Sequence, residues 1–134
     1  MGPEAEIERA AQFRVGLRRF LRQTEEVTSR GGLSSQRYDL LLFVQAAPGH
    51  RTTTSDLTRT LQLGQPAVTE LVKQADRAGL VRRTPDDLDR RRIWIELTPS
   101  GRDLLLASLQ ALGDARNELA SAITEAQRAY RLGY

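Results

Sequence analysis

Residues 79–101 read "GLVRRTPDDLDRRRIWIELTPSG", and this stretch decides the fold. Five arginines (Arg82, Arg83, Arg90, Arg91, Arg92) and four acids (Asp86, Asp87, Asp89, Glu96) crowd around an alternating run. In that run Ile93, Ile95 and Leu97 take turns with Trp94 and Glu96. Alternation of period two is the pattern of a half-buried strand. "LVRRT" supplies a partner strand and Pro85–Asp89 the turn, so a β-hairpin is expected. Three uses fit so much charge beside a short strand pair: a solvated hairpin, an acidic metal-binding loop, or a wing that reads DNA.

Working upstream, "QPAVTELVKQADRAG" (65–79) predicts a helix. Pro66 falls in its first turn, where a missing N–H does no harm. Val68, Leu71, Val72 and Ala75 point inward, and Gly79 closes the helix. "TTTSDLTRTLQLG" (52–64) predicts a shorter helix. Thr53 with Asp56 three residues on resembles a capping box, with Asp in place of Glu. The break at Leu63–Gly64 is short. Two short helices, a tight turn and a hairpin describe a winged helix-turn-helix, whose second helix enters the major groove while the hairpin flanks it.

Working outward again, residues 4 to about 28 hold Ala10, Phe13, Leu17, Phe20, Thr24 and Val27 at spacings of three and four, one stripe on a long helix. Gly31 and Gly32 stop it. Ser34 caps a second helix containing "YDLLLFVQAA", apolar nearly all round and therefore buried. Pro48 and Gly49 end that helix. Thr98–Pro99 opens another helix as cap and first residue. Its stripe runs through Leu105, Leu109, Leu112, Arg116, Leu119, Ile123, Ala126 and Tyr130, and a second box at Thr124 and Gln127 predicts a break near 123.

The 134 residues, 40 % hydrophobic, are expected to form one domain (1–134) with a real core. The predicted class is mainly α with a small β-hairpin wing. The winged unit spans 34–98, and helices at 4–30 and 99–134 flank it as a dimerisation bundle. There is no cysteine, which excludes disulfides and thiolate metal sites. No apolar run approaches the ~20 residues that span a bilayer, so no membrane role is expected. The acidic start "MGPEAEIE" does not read as a signal peptide, and a cytoplasmic location is expected. The net charge is +3, and the positive charge is almost all arginine because Lys73 is the sole lysine; both hint at a polyanionic partner.

The run "TTTSDLTRTLQLGQPAVTELVKQADRAGLVRRTPDDLDRRRIWIELTPSGRDLL" resembles the MarR family of bacterial transcription regulators. Its most specific part is the ordered set "AGLVRR", then "DRR" (Asp89, Arg90, Arg91), then "LTPSG". The flanking long helices fit too, because family members dimerise through terminal helices. The resemblance implies a homodimer that represses transcription at a pseudo-palindromic operator. It also implies a pocket between the dimer helices and the winged unit for a small, often aromatic, effector. Three departures stand out. Glu70 lies where a neutral or basic residue is common, Ala75 replaces a usual leucine, and the lack of cysteine rules out peroxide sensing through thiols.

Candidate DNA contacts follow. Thr53, Thr54 and Ser55, with Thr52 before them, begin a helix whose free N–H groups and hydroxyls suit a phosphate, although simple capping explains them equally. Gln65, Pro66, Ala67, Thr69, Glu70 and Lys73 lie opposite the inward face of the second helix. There Gln65 suits adenine, Ala67 or Thr69 a thymine methyl, and Glu70 a cytosine amino group. Lys73 and Arg77 fall where phosphates are expected. On the wing, Arg83, Arg90 and Arg91, beside Arg82 and Arg92, suit phosphates or a minor groove, with Asp89 fixing a neighbouring guanidinium. The plain alternative is a wet hairpin whose ion pairs contribute little.

Phe13, Phe20, Tyr38 and Phe43 are candidate effector-lining residues, with ordinary packing the alternative for each. The turn acids with His50 lack converging ligand spacing, so no metal is expected. No cofactor is expected, and no nucleophile–base pair supports catalysis, so an enzyme is rejected. The rival to a DNA-binding regulator is a winged-helix interaction module that presents its basic wing to an acidic partner.

Overall fold

The computed structural model describes residues 2–132, with side chains described to residue 128. Tyr130, the last position of the predicted stripe, has its side chain outside the described set. The chain begins with α1 (Pro3–Arg30) and α2 (Ser35–Ala46), followed by a 3₁₀ turn at Pro48–His50. Then come β1 (Arg51–Thr52), α3 (Thr54–Leu61), α4 (Gln65–Arg77), β2 (Val81–Pro85), β3 (Ile93–Leu97), α5 (Pro99–Ala111) and α6 (Gly113–Leu132). Among the described residues, no helix is long and apolar enough to cross a membrane.

The caps explain the boundaries. Ser34 Oγ accepts the Arg37 amide at 3.1 Å and starts α2. Thr53 Oγ1 accepts the Asp56 amide at 3.3 Å and starts α3. Gln62 in the left-handed region (φ 55°) ends α3, and α4 resumes with Pro66 in its first turn. Gly79 (φ +74°) closes α4, with the Leu80 amide bonded to the Ala75 carbonyl and the Gly79 amide to that of Asp76.

β2 and β3 pair antiparallel with Thr84 facing Trp94 and Arg83 facing Ile95. The hairpin has a third member that the sequence reading missed. β1 pairs with the far edge of β3, Arg51 opposite Glu96 and Thr52 opposite Ile95, giving the order β1-β3-β2. Thr52 is therefore a buried strand residue and not part of the α3 start. Two residues are too short for an alternation to show, and the threonine run masked them.

Leu40, Leu41 and Val44 of α2, Leu57 of α3, Val68 and Val72 of α4, and Val81 and Ile95 of the sheet form the core. Ile95 is the inward residue of β3, whereas Ile93 is 45 % exposed because the hairpin has by then extended past the core. The last helical stretch breaks at Leu112–Gly113, not near 123. Thr124 is no cap: its hydroxyl donates to the Ala120 carbonyl four residues back, inside an uninterrupted helix.

The "TPSG" segment is a joint. The Thr98 amide donates to the Leu80 carbonyl at 3.0 Å, and the Thr98 hydroxyl donates to the Gly79 carbonyl and accepts the Gly101 amide. Gly101 comes so close to Leu80 that a Cβ there would overlap its carbonyl oxygen. The start of α5 is thereby fastened to the α4–β2 junction.

Candidate nucleic-acid interface

Three separate elements converge on one groove. Thr53, Thr54 and Ser55 at the start of α3, Gln65 and Thr69 of α4, and Asp89, Arg91, Arg92 and Ile93 of the wing line a depression of about 440 Å³. Hydroxyls and first-turn amides form one wall, a helix start the floor, and guanidinium groups the other wall. This is an arrangement of donors and positive charge suited to a polyanion.

The face of α4 continues the groove. Gln65, Pro66, Thr69, Glu70 and Lys73 line a shallow adjoining surface. Ala67 and Arg77 are exposed as well, while Val68, Leu71, Val72 and Ala75 are buried, so the predicted division of this helix into two faces holds. Glu70 is engaged within the protein: its carboxylate lies 3.6 Å from Arg77 and accepts from Gln74, which in turn accepts from Arg37. That pairing offsets the repulsion an unpaired acid would offer a phosphate.

The wing arginines divide by partner. Arg91 Nε lies 3.3 Å from Asp89 Oδ1, and the same oxygen accepts the Arg91 amide at 3.1 Å. Asp89 thus pairs with Arg91 at an exposed point of the wing. Arg83 is drawn to the base of the wing, where its guanidinium lies 2.8 Å from Asp76 of α4. Arg82 lies 3.9 Å from Glu96 on the outer face of the sheet. Both pairs are exposed, so each contributes little to stability. Arg92 lies over the Trp94 ring at 4.8 Å from its centroid, and Arg51 lies over the same ring at 4.0 Å. Arg90 is exposed, and no ion pair or ring contact involves it among the described residues.

Sequence reasoning missed Asp86, Trp94 and Arg51. The Trp94 indole N–H donates to Asp86 at 2.8 Å, and this bond, ahead of the Asp89 and Leu88 amides, holds the Asp86 carboxyl below its ordinary value. The available signal was a lone tryptophan on the outward register of β3, eight residues after an acid. Nothing in the strand pattern gives that tryptophan a partner.

The four candidate effector-lining residues are not gathered at one place. Phe13 and Phe20 line two adjoining cavities between α1 and α6, the larger about 340 Å³. Tyr38 lies in the core, its phenol pushed up by burial, and Phe43 packs on the core's edge. Among the described residues, no group of three or more His, Cys, Asp or Glu side chains is placed to hold a metal ion. His50 instead bonds the Gln45 carbonyl through Nδ1.

A family model described as the MarR family matches residues 31–92. A cysteine-to-serine mutant of Escherichia coli MarR, complexed with operator DNA, superposes with a TM-score of 0.76 at 20 % identity, over 98 % of this chain and 97 % of that one. Streptomyces coelicolor AbsC, a MarR family transcriptional regulator, gives a TM-score of 0.76 at 20 % identity over 96 % and 90 %. Sulfolobus solfataricus BldR, a transcriptional regulator, gives 0.71 at 25 % identity over 90 % and 86 %. A Thauera aromatica protein named for transcriptional regulation of the hcr operon is 25 % identical over 107 residues, which are 80 % of this chain and 63 % of that protein's length.

Proposed function

We propose that this chain, whose residues 31–92 match the MarR family model, is a winged helix-turn-helix protein of that family that binds duplex DNA sequence-specifically and regulates transcription. The carrying observation is the groove itself, in which the α3 start, the α4 face and the wing meet. The α3 hydroxyls and amides take a phosphate, the exposed residues of α4 meet base edges in the major groove, and the wing arginines reach a neighbouring minor groove. A basic wing offered to an acidic protein would use the hairpin alone and leave the α3 and α4 walls without a role.

The protein acts as a homodimer on a pseudo-palindromic operator in the cytoplasm, as a repressor relieved by a small aromatic effector. Support for the dimer comes from Ile7, Val15 and Leu21 of α1, Leu106 of α5 and Ile123 of α6, apolar side chains that one chain leaves in solvent. Support for the effector comes from the family, and the apolar cavities beside Phe13 and Phe20 offer a ring its surface.

Selection of duplexes from a random pool, followed by fluorescence anisotropy at physiological salt, tests the reading. The selected site is expected to bind roughly a thousandfold more tightly than random duplex. Equal affinity for both would overturn it.

A further inference from the structure

The wing turn is built around one indole. Trp94, the only tryptophan of the chain, lies in β3 opposite Thr84. Its Nε1 donates to Asp86 Oδ1 at 2.8 Å. The other carboxylate oxygen of Asp86 accepts the amides of Leu88 at 3.3 Å and Asp89 at 3.0 Å. The Asp86 amide donates across the turn to the Arg92 carbonyl at 2.8 Å. The guanidinium groups of Arg51 and Arg92 sit over the ring at 4.0 and 4.8 Å from its centroid. Cations on the face and an acceptor at the N–H edge are what an indole's charge distribution favours.

These contacts join parts of the chain that the hairpin ladder does not. Arg51 belongs to β1, beyond the opposite edge of β3 from β2, and Asp86 to the loop that follows β2. Apolar packing cannot fix this turn, since Leu88 at its tip is 97 % exposed. Polar contacts tie residues 86–92 together instead: Asp86 bonds Trp94, Leu88, Asp89 and Arg92, and the Arg92 amide bonds the Asp89 carbonyl. A turn left to order itself on meeting a ligand would subtract that ordering from the affinity. Asp86 and Trp94 do not line the groove, whereas Arg91 two residues past Asp89 does.

We propose that Asp86 and Trp94, braced by Arg51 and Arg92 on the indole, latch the wing turn and position Arg90 and Arg91 for the duplex. The latch stands on its own geometry, and its use in positioning rests on the DNA-binding reading. Both are positioning residues, since their effect on the duplex passes through the arginines.

The full chain tests this through the steady-state fluorescence anisotropy of Trp94 without DNA and through affinity for the selected duplex. Asp86→Ala is expected to free the ring, lowering its anisotropy, and to weaken duplex binding about tenfold through the added ordering cost. The melting temperature should stay near wild type. Asp86→Asn keeps an oxygen for the indole N–H and is expected to recover part of both. Trp94→Phe keeps the ring face but loses the N–H, and should bind duplex as weakly as Asp86→Ala. Unchanged anisotropy in Asp86→Ala would overturn the latch. Freed anisotropy with undiminished duplex affinity would overturn the positioning role. An Asp86→Asn chain no better than Asp86→Ala would overturn the hydrogen-bond basis. If the wild-type chain discriminated no duplex at all, the DNA-binding reading would fall, and the anisotropy would still decide the latch.

Discussion

A single methyl group at position 101 would collide with the backbone of Leu80. Neither partner can yield cheaply, because one is a helix start and the other follows the α4 cap. Gly101→Ala is therefore expected to lower unfolding free energy by about 1–3 kcal/mol, read as an earlier urea midpoint with an unchanged slope. At the wing the discriminating pair is Asp89 and Asp87. Asp89 holds Arg91 through its side chain and its amide. Removing that charge should leave the arginine loose, whereas removing a merely repulsive acid should help binding. Asp89→Asn is expected to weaken duplex binding and Asp87→Asn to leave it equal or tighter by fluorescence anisotropy. Both should stay within about 0.5 kcal/mol of wild-type stability, as surface changes do.

Among the elements, the wing should answer to acid in a defined direction. Asp86 is held below its ordinary value of 3.8, chiefly by the Trp94 N–H. A depressed carboxyl contributes ordering that is complete above the unfolded value and is lost as pH falls through the folded one. Trp94 emission is thus expected to stay constant down to about pH 4 and to change only below it, with a midpoint under 3.8. A midpoint at or above the ordinary value would contradict the hydrogen-bonded geometry. Other elements were legible because their chemistry is local. Ser34, Thr53 and Thr98 each accept an amide three residues on, and the spacing of Val68, Leu71, Val72 and Ala75 separates the faces of α4. What escaped was long-range. β1 is defined by pairing with Glu96 and Ile95, and the Arg51–Trp94 contact exists only once that pairing has formed. The break at Leu112 also lay hidden, because its apolar stripe passes through Leu112 without a change of step.

For the molecule as a whole, the exposed apolar residues of α1 and α5 matter most. Leu21 is 56 % exposed and Leu106 49 %, so charging them should not disturb the fold of one chain. Leu21→Glu with Leu106→Glu is expected to shift sedimentation from dimer to monomer while helical circular dichroism and melting persist. A wild-type chain already monomeric at micromolar concentration would contradict the dimer reading. The strand order β1-β3-β2 has a consequence for the timing of synthesis. The central strand is the last of the three to be made, and its edge partner Arg51–Thr52 precedes it by roughly 45 residues. On a ribosome, α3 and α4 are complete while β1 still has an open edge, and the candidate interface has only two of its walls. It closes when residue 97 has emerged, so a nascent chain stalled with its exit at Asp89 should hold no duplex, and one released past α5 should.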